Sequence, residues 1–440
     1  MVITARIYLW EAFVGALIWD EQAQLGLFEY DPDFVKTGLE IAPITMPLQA
    51  EHTYAFPSLN RDTYKGLPAV LADSLPDDFG NALIDAWLAK EGRDKASFTA
   101  VERLLYQGSR GMGALEYRPA IDGEAAGGES IQIEALVQLA SEVLSNREGL
   151  AERLSAGDPS IDDDALQRLI HVGTSAGGAR AKALIALNDK GEIRSGQVKA
   201  PKGYSYWLLK FDVAKNSDVL ADSQGYGRIE YAYHLMAQEC GIEMSECRLM
   251  EEGGRAHFLT KRFDRGDDGE KVHMSTLCAM AHADFKQPGG YSYEEAFGVF
   301  RLLGLSRDEA TQFYRRMVFN VIARNQDDHT KNISFLLDRD GTWNLSPAYD
   351  VSWSYLPGNF WVDSHQMTIN GKRDKFDVAD LEAVANQVRG LDAKKIISEV
   401  YGAVKRWPVI AESVGVNPKM ISEISKSHRL YLGETDAGGS

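Results

Sequence analysis

The stretch Arg324-Asn325-Gln326-Asp327-Asp328-His329-Thr330-Lys331-Asn332 follows an apolar helical run, Phe313 to Ala323. A carboxylate at Asp327 can accept or orient the proton of a substrate hydroxyl. An amide oxygen a turn later, at Asn332, can reach a metal ion beside the same phosphates. Downstream, Ile333-Ser334-Phe335-Leu336-Leu337 and Trp343-Asn344-Leu345 flank Asp338-Arg339-Asp340-Gly341, whose Asp-Gly pair signals a tight turn between two strands. A hairpin returns the chain to its start. Asp350, closing Leu345-Ser346-Pro347-Ala348-Tyr349-Asp350, is therefore expected beside Asn332, where the two can share Mg²⁺.

A loop with Asp and Asn at this interval, two strands and then a metal-binding acid is the arrangement that serves phosphoryl transfer in kinases. Here Tyr349-Asp350-Val351 stands where Asp-Phe-Gly is usual. Taken singly, Asp327 and Asp328 read as solvated loop acids and Asp350 as the N-cap of a helix from Val351. Taken together and in this order, they favour the chemistry.

Upstream, Tyr204 to Asp212 reads as a strand in which Lys210 is placed to pair with the α- and β-phosphates of ATP, against the alternative of a snorkelling edge lysine. Glu230, on a helix from Ile229 to Cys240, could pair with Lys210, with Arg228 an equally plausible local partner. The segment Val172-Gly173-Thr174-Ser175-Ala176-Gly177-Gly178-Ala179-Arg180-Ala181-Lys182, placed one strand ahead of Lys210, offers glycine N–H groups to phosphate. It is not a Walker A loop, because Ala179-Arg180 follows Gly178. The strand Ala256 to Phe263 ends at Lys261-Arg262-Phe263, where a hinge against the adenine would fall. The backbone of Lys261 and Phe263 could bond the base and Phe263 could cover it; an edge strand with solvated basic residues is the alternative.

At 440 residues the chain is expected to divide into lobes, since single cores stop growing at about 250–300 residues. A net charge of −17 argues against unaided binding to nucleic acid, whose backbone demands concentrated Lys and Arg. Cys240, Cys247 and Cys278 lack metal-site spacing and read as buried thiols of a reducing compartment. No leader opens the chain and no apolar run is long enough to span a membrane, so the cytoplasm is the expected location. Strands are expected at Ile3 to Trp10, Gly15 to Trp19, Leu25 to Tyr30 and Gly113 to Tyr117. Helices are expected at Phe79 to Leu88, from Ile133, and over most of Ser292 to Arg324, with later N-caps at Asp377 and Asp392. The Gly- and Ala-rich stretch from Ile121 to Ser130 reads as a loop, and the tail from Glu434 to Ser440 has nothing to bury.

With these residues in view, the chain resembles the HipA family of toxin–antitoxin kinases. The amino-terminal part is similar in Gly15-Ala16-Leu17, Phe28-Glu29-Tyr30, Leu75-Pro76-Asp77 and Gly111-Met112-Gly113-Ala114-Leu115. The remainder is similar in Ser175 to Lys182, Lys210, Arg262-Phe263-Asp264-Arg265, Asp327 to Asn332, Tyr349-Asp350 and Ile369-Asn370-Gly371-Lys372. The resemblance implies an α+β, two-lobed, protein-kinase-like fold with an extra amino-terminal α/β subdomain and a helical carboxy-terminal lobe. The expected division is 1–125, 126–265 and 266–440.

The resemblance further implies an ATP- and Mg²⁺-dependent Ser/Thr protein kinase with Asp327 as catalytic acid–base. Nucleotide contacts would fall on Gly177, Gly178, Ala179, Arg180, Ala181, Lys182, Lys210, Lys261, Arg262, Phe263, His329, Thr330, Lys331, Asn332, Tyr349 and Asp350. Asn332 and Asp350 would hold the metal, and Ser175 would be autophosphorylated, with Thr174 a second candidate. The implied partners are a small basic helix-turn-helix antitoxin, HipB-like, that carries any DNA contact, and a protein substrate such as an aminoacyl-tRNA synthetase. The chain departs from the family at Arg180, commonly Gln, and at Lys261, commonly acidic. The rival reading is a pseudokinase-like corepressor acting through the antitoxin.

Overall fold

Three antiparallel sheets organise the chain in the computed structural model, which describes residues 3–119, 136, 181–212 and 225–433. The first sheet contains β1 (Thr4–Leu9), β2 (Ala12–Asp20), β3 (Leu25–Tyr30), β4 (Thr53–Tyr54) and β5 (Leu115–Arg118), in the order β4-β3-β2-β1-β5. Alternation along β1 turns Ala5, Ile7 and Leu9 inward, as the period of two dictates. The helix Ala100–Gln107 begins with a reciprocal cap between Thr99 and Glu102 and buries Val101, Leu104 and Leu105 on this sheet. The same core takes in Cys278 and Ala279 from far downstream, so the amino-terminal unit is docked on the rest of the protein through apolar contact.

The second sheet contains β6 (Lys182–Asn188), β7 (Ile193–Ser195), β8 (Tyr204–Lys210), β9 (Cys247–Glu252) and β10 (Arg255–Lys261), ordered β7-β6-β8-β10-β9. This sheet corrects two expectations. β10 is an inner strand between β8 and β9, which removes the edge-strand alternative for Lys261 to Phe263. The Gly-rich segment precedes Lys210 by two strands rather than one, because the short β7 intervenes, although β6 itself lies directly against β8. The helix Asp78–Lys90, capped by Asp77, shares a core with this sheet through Phe79, Leu83, Trp207, Leu209 and Leu259.

The helix Tyr226–Glu239 crosses β10 so closely that a Cβ on Gly227 would sit 2.0 Å from the Ala256 carbonyl oxygen. Glycine at that position is what lets Glu230, one turn on, approach the sheet.

In the carboxy-terminal lobe, β11 (His273–Thr276), β12 (Ser334–Leu337) and β13 (Trp343–Leu345) form a small sheet in that order. The expected hairpin is β12 and β13, paired Phe335 to Leu345 and Leu337 to Trp343, with Gly341 supplying the positive φ of 86° its turn requires. Helices Tyr293–Leu302, Arg307–Ile322, Val378–Ala385, Ala393–Lys405, Trp407–Ser413 and Pro418–Ser427 surround it. Asp377 and Asp392 are N-caps, as their position before apolar runs suggested. Tyr233, Phe319, Val400 and Trp407 meet in one core, which draws the helix Tyr226–Glu239 into this lobe. The three cysteines are free and buried. Among the described residues no helix is long and apolar enough to cross a membrane.

Candidate active site

The helix Arg307–Ile322 delivers the chain to Arg324, whose left-handed backbone (φ 58°) starts the turn into the loop. Both ends of that turn are tied down. The Gln326 N–H donates to the Ser354 carbonyl, and Gln326 Oε1 accepts from the guanidinium groups of Arg324 and Arg429. Asp328 points inward, fully sequestered, and accepts from the Tyr293 hydroxyl (2.9 Å), His365 Nδ1 (2.7 Å) and the Gln366 N–H (2.8 Å). Burial alone would raise its carboxyl; His365 and these donors overcome that and hold it below the ordinary value. Of the two adjacent acids, Asp328 is thus the structural anchor and Asp327 faces the cleft, its side chain 44% exposed.

Asn332 Nδ2 donates to the Asp327 carbonyl at 2.9 Å, which fixes the interval between them and leaves the amide oxygen available. The Asp327 carboxyl is pushed upward, first by burial of its surroundings and then by the charges of Asp350 and Asp328, against the opposing effect of His329, whose Nε2 lies 3.8 Å away. A carboxylate so placed binds a proton more readily than a solvated one, which suits acid–base work.

Lys210 Nζ sits 2.5 Å from Glu230 Oε1 and 2.5 Å from Asp350 Oδ1. Arg228 is not its rival, since its guanidinium goes to Glu251 and the Val414 carbonyl. Burial would lower the Lys210 ammonium, yet Asp350 and Glu230 raise it above its ordinary value. Burial would likewise raise Asp350, yet Lys210, with smaller help from Lys182 and His329, holds its carboxyl well below the usual range. Both groups are charged where they meet. Asp350 is not a helix cap; it has φ 53°, a conformation rare outside glycine and asparagine, and no helix starts at Val351.

These groups line one cleft of about 1850 Å³, shared by Lys182, Lys210, Lys261, Arg262, Phe263, Asp327, His329, Lys331, Asn332, Tyr349 and Asp350. Lys182 is buried at its edge in an ion pair with Asp77 (2.8 Å). Ala181 packs in the core beneath, and its carbonyl accepts from the Phe211 N–H. At the expected hinge the Lys261 N–H donates to the Glu246 carbonyl and the Arg262 N–H to that of Tyr206, so of these three amides that of Phe263 is clear of the sheet. The Arg262 guanidinium is turned inward onto Asp264. Phe263 stands 5.5 Å from the Tyr349 ring, and the Tyr349 hydroxyl bonds Ser334 and the Lys331 carbonyl. Thr330 is buried, its hydroxyl donating to the Ala283 carbonyl. Thr174, Ser175, Gly177, Gly178, Ala179 and Arg180 lie outside the described residues, as do the expected loop from Ile121 and the helix from Ile133 except for Leu136, which is helical and buried.

The donor set suits Mg²⁺, which takes one or two protein oxygens and completes its shell with phosphates and water. Asp350 shares one carboxylate oxygen with Lys210 and has a second to offer, and Asn332 has its amide oxygen. Two features carry no signal in the sequence. Asp77 reaches from the amino-terminal part to Lys182, and Asp73 caps the Thr276 N–H and hydroxyl at 2.8 Å each on the cleft wall.

A family model described as HipA-like C-terminal domain matches residues 174–407, and one described as HipA N-terminal domain matches residues 5–118. A Sinorhizobium fredii protein named "Putative kinase Y4dM" is 26% identical over 244 residues, 50% of this chain and 54% of that protein. A second, "Putative kinase Y4mE" of the same organism, is 24% identical over 127 residues, 26% of this chain and 30% of that protein. The matches therefore span about half the length, or less, of these curated relatives. A chain of the Shewanella oneidensis MR-1 toxin–antitoxin complex of HipA, HipB and operator DNA superposes with a TM-score of 0.65, covering 97% of this chain and 96% of that one at 17% identity. At that identity the match shows a shared two-lobed α+β fold.

Proposed function

The chain belongs to the HipA-like family, and from that premise we propose that it is an ATP-dependent Ser/Thr protein kinase, the toxin of a toxin–antitoxin pair. The observation that carries this reading is the bridge from Glu230 through Lys210 to Asp350, set in one cleft with Asp327 and Asn332. Phosphoryl transfer demands positioning and charge neutralisation more than covalent chemistry from the protein, and these are the side chains that provide them.

Lys210 neutralises the α- and β-phosphates. Asp350 and Asn332 would hold Mg²⁺, which when bound would supply neutralisation of the charge on the transferred group. Asp327 accepts the hydroxyl proton of a protein Ser or Thr as its oxygen bonds the γ-phosphorus and the bond to ADP breaks. Phe263 covers the base, with its N–H the remaining hinge donor. Ser175 is the proposed site of self-phosphorylation, where a phosphate adds a charge of about −1.5 to −2.

The antitoxin is proposed to be a small basic helix-turn-helix protein, because a chain of charge −17 is matched by a cationic partner that carries the DNA contacts. The test is incubation with γ-labelled ATP and Mg²⁺, followed by phosphopeptide identification. Label on Ser or Thr that disappears in Asp327→Ala and Asp350→Ala is expected; equal labelling of both variants would reject the proposal. ATP binding without any turnover would favour the corepressor reading instead.

A further inference from the structure

Three consecutive residues at the end of the helix Pro418–Ser427 fasten the turn that leads into the loop of Asp327. The Ser427 carbonyl accepts from Arg324 Nε (2.9 Å), and its hydroxyl oxygen accepts from Trp353 Nε1 (3.0 Å). The Tyr233 hydroxyl donates to the Ala323 carbonyl (2.6 Å), so its one proton is committed, and in its 3.0 Å contact with His428 Nε2 the ring is the donor. The Arg429 N–H donates to the Ile322 carbonyl at 2.9 Å. Its guanidinium, 1% exposed, goes further in. One terminal nitrogen donates to the Val321 carbonyl (2.7 Å) and to His365 Nε2 (3.1 Å), the other to Gln326 Oε1 (2.9 Å) and Asp374 Oδ1 (2.5 Å).

The contact with His365 fixes a proton. A guanidinium has donors and no acceptor, so His365 Nε2 offers its lone pair and the ring proton sits on Nδ1. That is the nitrogen 2.7 Å from Asp328 Oδ2, which makes the ring a neutral N–H donor to a buried carboxylate. Burial, helped by Arg429 and Arg324, keeps a second proton off the ring against the pull of Asp328, and Arg373 reaches only the His365 carbonyl.

One side chain therefore governs both chain neighbours of Asp327. Through His365, Arg429 holds Asp328 inward. Through Oε1 it holds Gln326, whose N–H and Nε2 are tied to the Ser354 and Val362 carbonyls, two residues that line the cleft. A desolvated guanidinium is an expensive way to fill space, since an apolar side chain of similar volume packs as well or better. What it adds is a planar fork with donors in fixed directions.

We propose that Arg429 is a positioning residue for phosphoryl transfer: it holds His365 in the Nδ1–H form and, through Asp328 and Gln326, keeps Asp327 aimed into the cleft. The inference rests on the kinase reading. It extends that reading to a side chain 103 residues beyond Gln326 that touches neither nucleotide nor acceptor.

The experiment uses the full chain with ¹⁵N-labelled histidine rings, the His365 signals being assigned by their loss in His365→Gln. In the wild type at neutral pH, His365 should be uncharged with its proton on Nδ1. In Arg429→Met the ring should leave that form, taking a proton on Nε2, while the rate of labelling from γ-labelled ATP at saturation falls at least about tenfold and KM for ATP with Mg²⁺ stays within about threefold. A thermal shift with ATP shows that the variant is folded; if it is not, Arg429→Lys, which keeps the charge without the fork, carries the same comparison. A wild-type His365 protonated on Nε2 overturns the proposal, and so does a folded variant whose saturated rate is unchanged or whose loss lies only in KM. Failure of the wild type to label itself or any protein overturns the kinase reading instead, an outcome on which the ring spectrum does not depend.

Discussion

Lys210 and Asp350, 140 residues apart in the chain, meet with Nζ 2.5 Å from Oδ1, and Glu230 holds the same ammonium from the other side. The contact joins the small-lobe sheet to the segment after the hairpin, so it serves stability as well as the site. Lys210→Met removes the ammonium that Glu230, its side chain 2% exposed, shares with Asp350. Breaking a buried pair from one side costs about 3–5 kcal/mol, and because Asp350 remains one-third exposed we expect about 3 kcal/mol by urea unfolding. A loss below about 1 kcal/mol, the scale of an exposed pair, would contradict the reading.

The pH dependence of that contact follows from the shifts. The lowered Asp350 carboxyl contributes stability that is complete above its unfolded value of about 3.9 and is lost as pH falls through the lower folded value. The raised Lys210 ammonium contributes stability that is complete below about 10.4 and is lost as pH rises through the higher folded value. The difference in unfolding free energy between wild type and Lys210→Met should therefore be flat from about pH 5 to 9 and shrink toward acid. A difference that grows as pH falls below about 4 would be inconsistent with this assignment.

Neighbouring acids should respond in opposite ways. Asp327→Ala removes the group proposed to take the proton and should lower kcat by about 10² or more while leaving unfolding unchanged within about 0.5 kcal/mol. Asp328→Ala strips three donors of a buried acceptor and should cost about 3 kcal/mol. Paired activity and denaturation curves check both; a stable, inactive Asp328 variant would reverse the roles of the two acids.

Activity should also carry the mark of the raised Asp327 carboxyl. Transfer as proposed needs its ionised form, so the acid limb of kcat/KM should have its midpoint above about 3.9. His329 opposes the rise, and His329→Gln should move the midpoint to still higher pH. A limb at or below the ordinary value, or one that moves down in the variant, would not fit the geometry.

Asp264 ties the amino-terminal unit to the rest. Fully buried, it receives Arg262, Arg265 and the Gly113 N–H, while Arg265 also donates to the Gly111 and Gly113 carbonyls. Asp264→Ala leaves two buried guanidinium groups uncompensated and should cost about 3–5 kcal/mol by denaturant unfolding. A near-neutral effect would mean that apolar contact alone docks the unit.

Much of this was legible because its signals are local. The Asp-Gly turn placed Asn332 and Asp350 at the two ends of a hairpin, and apolar alternation marked β1, β8 and β10. Whether Glu230 pairs with Lys210 or with Arg228 was open until the close approach at Gly227 aimed the helix. β7 and β11 are only three and four residues long, and β9 ends in two exposed glutamates, so none carried a strand signature of its own. Asp77 with Lys182, Asp264 with Gly113, and Asp284 with the turn at Asn60 join segments distant in sequence, and no periodicity records such contacts. The outward and inward faces of Asp327 and Asp328 were likewise invisible until Tyr293 and His365 appeared beside the second.

If Asp350 and Asn332 gather a magnesium-bound triphosphate against Lys210, while Asp327 stands apart from nucleotide binding, titration calorimetry of ATP with and without Mg²⁺ will show it. Affinity should depend on Mg²⁺, fall at least about tenfold in Asp350→Ala and Asn332→Ala, and survive in Asp327→Ala. ATP binding indifferent to Mg²⁺ and to Asp350, or no ATP binding at all, would refute this division of labour.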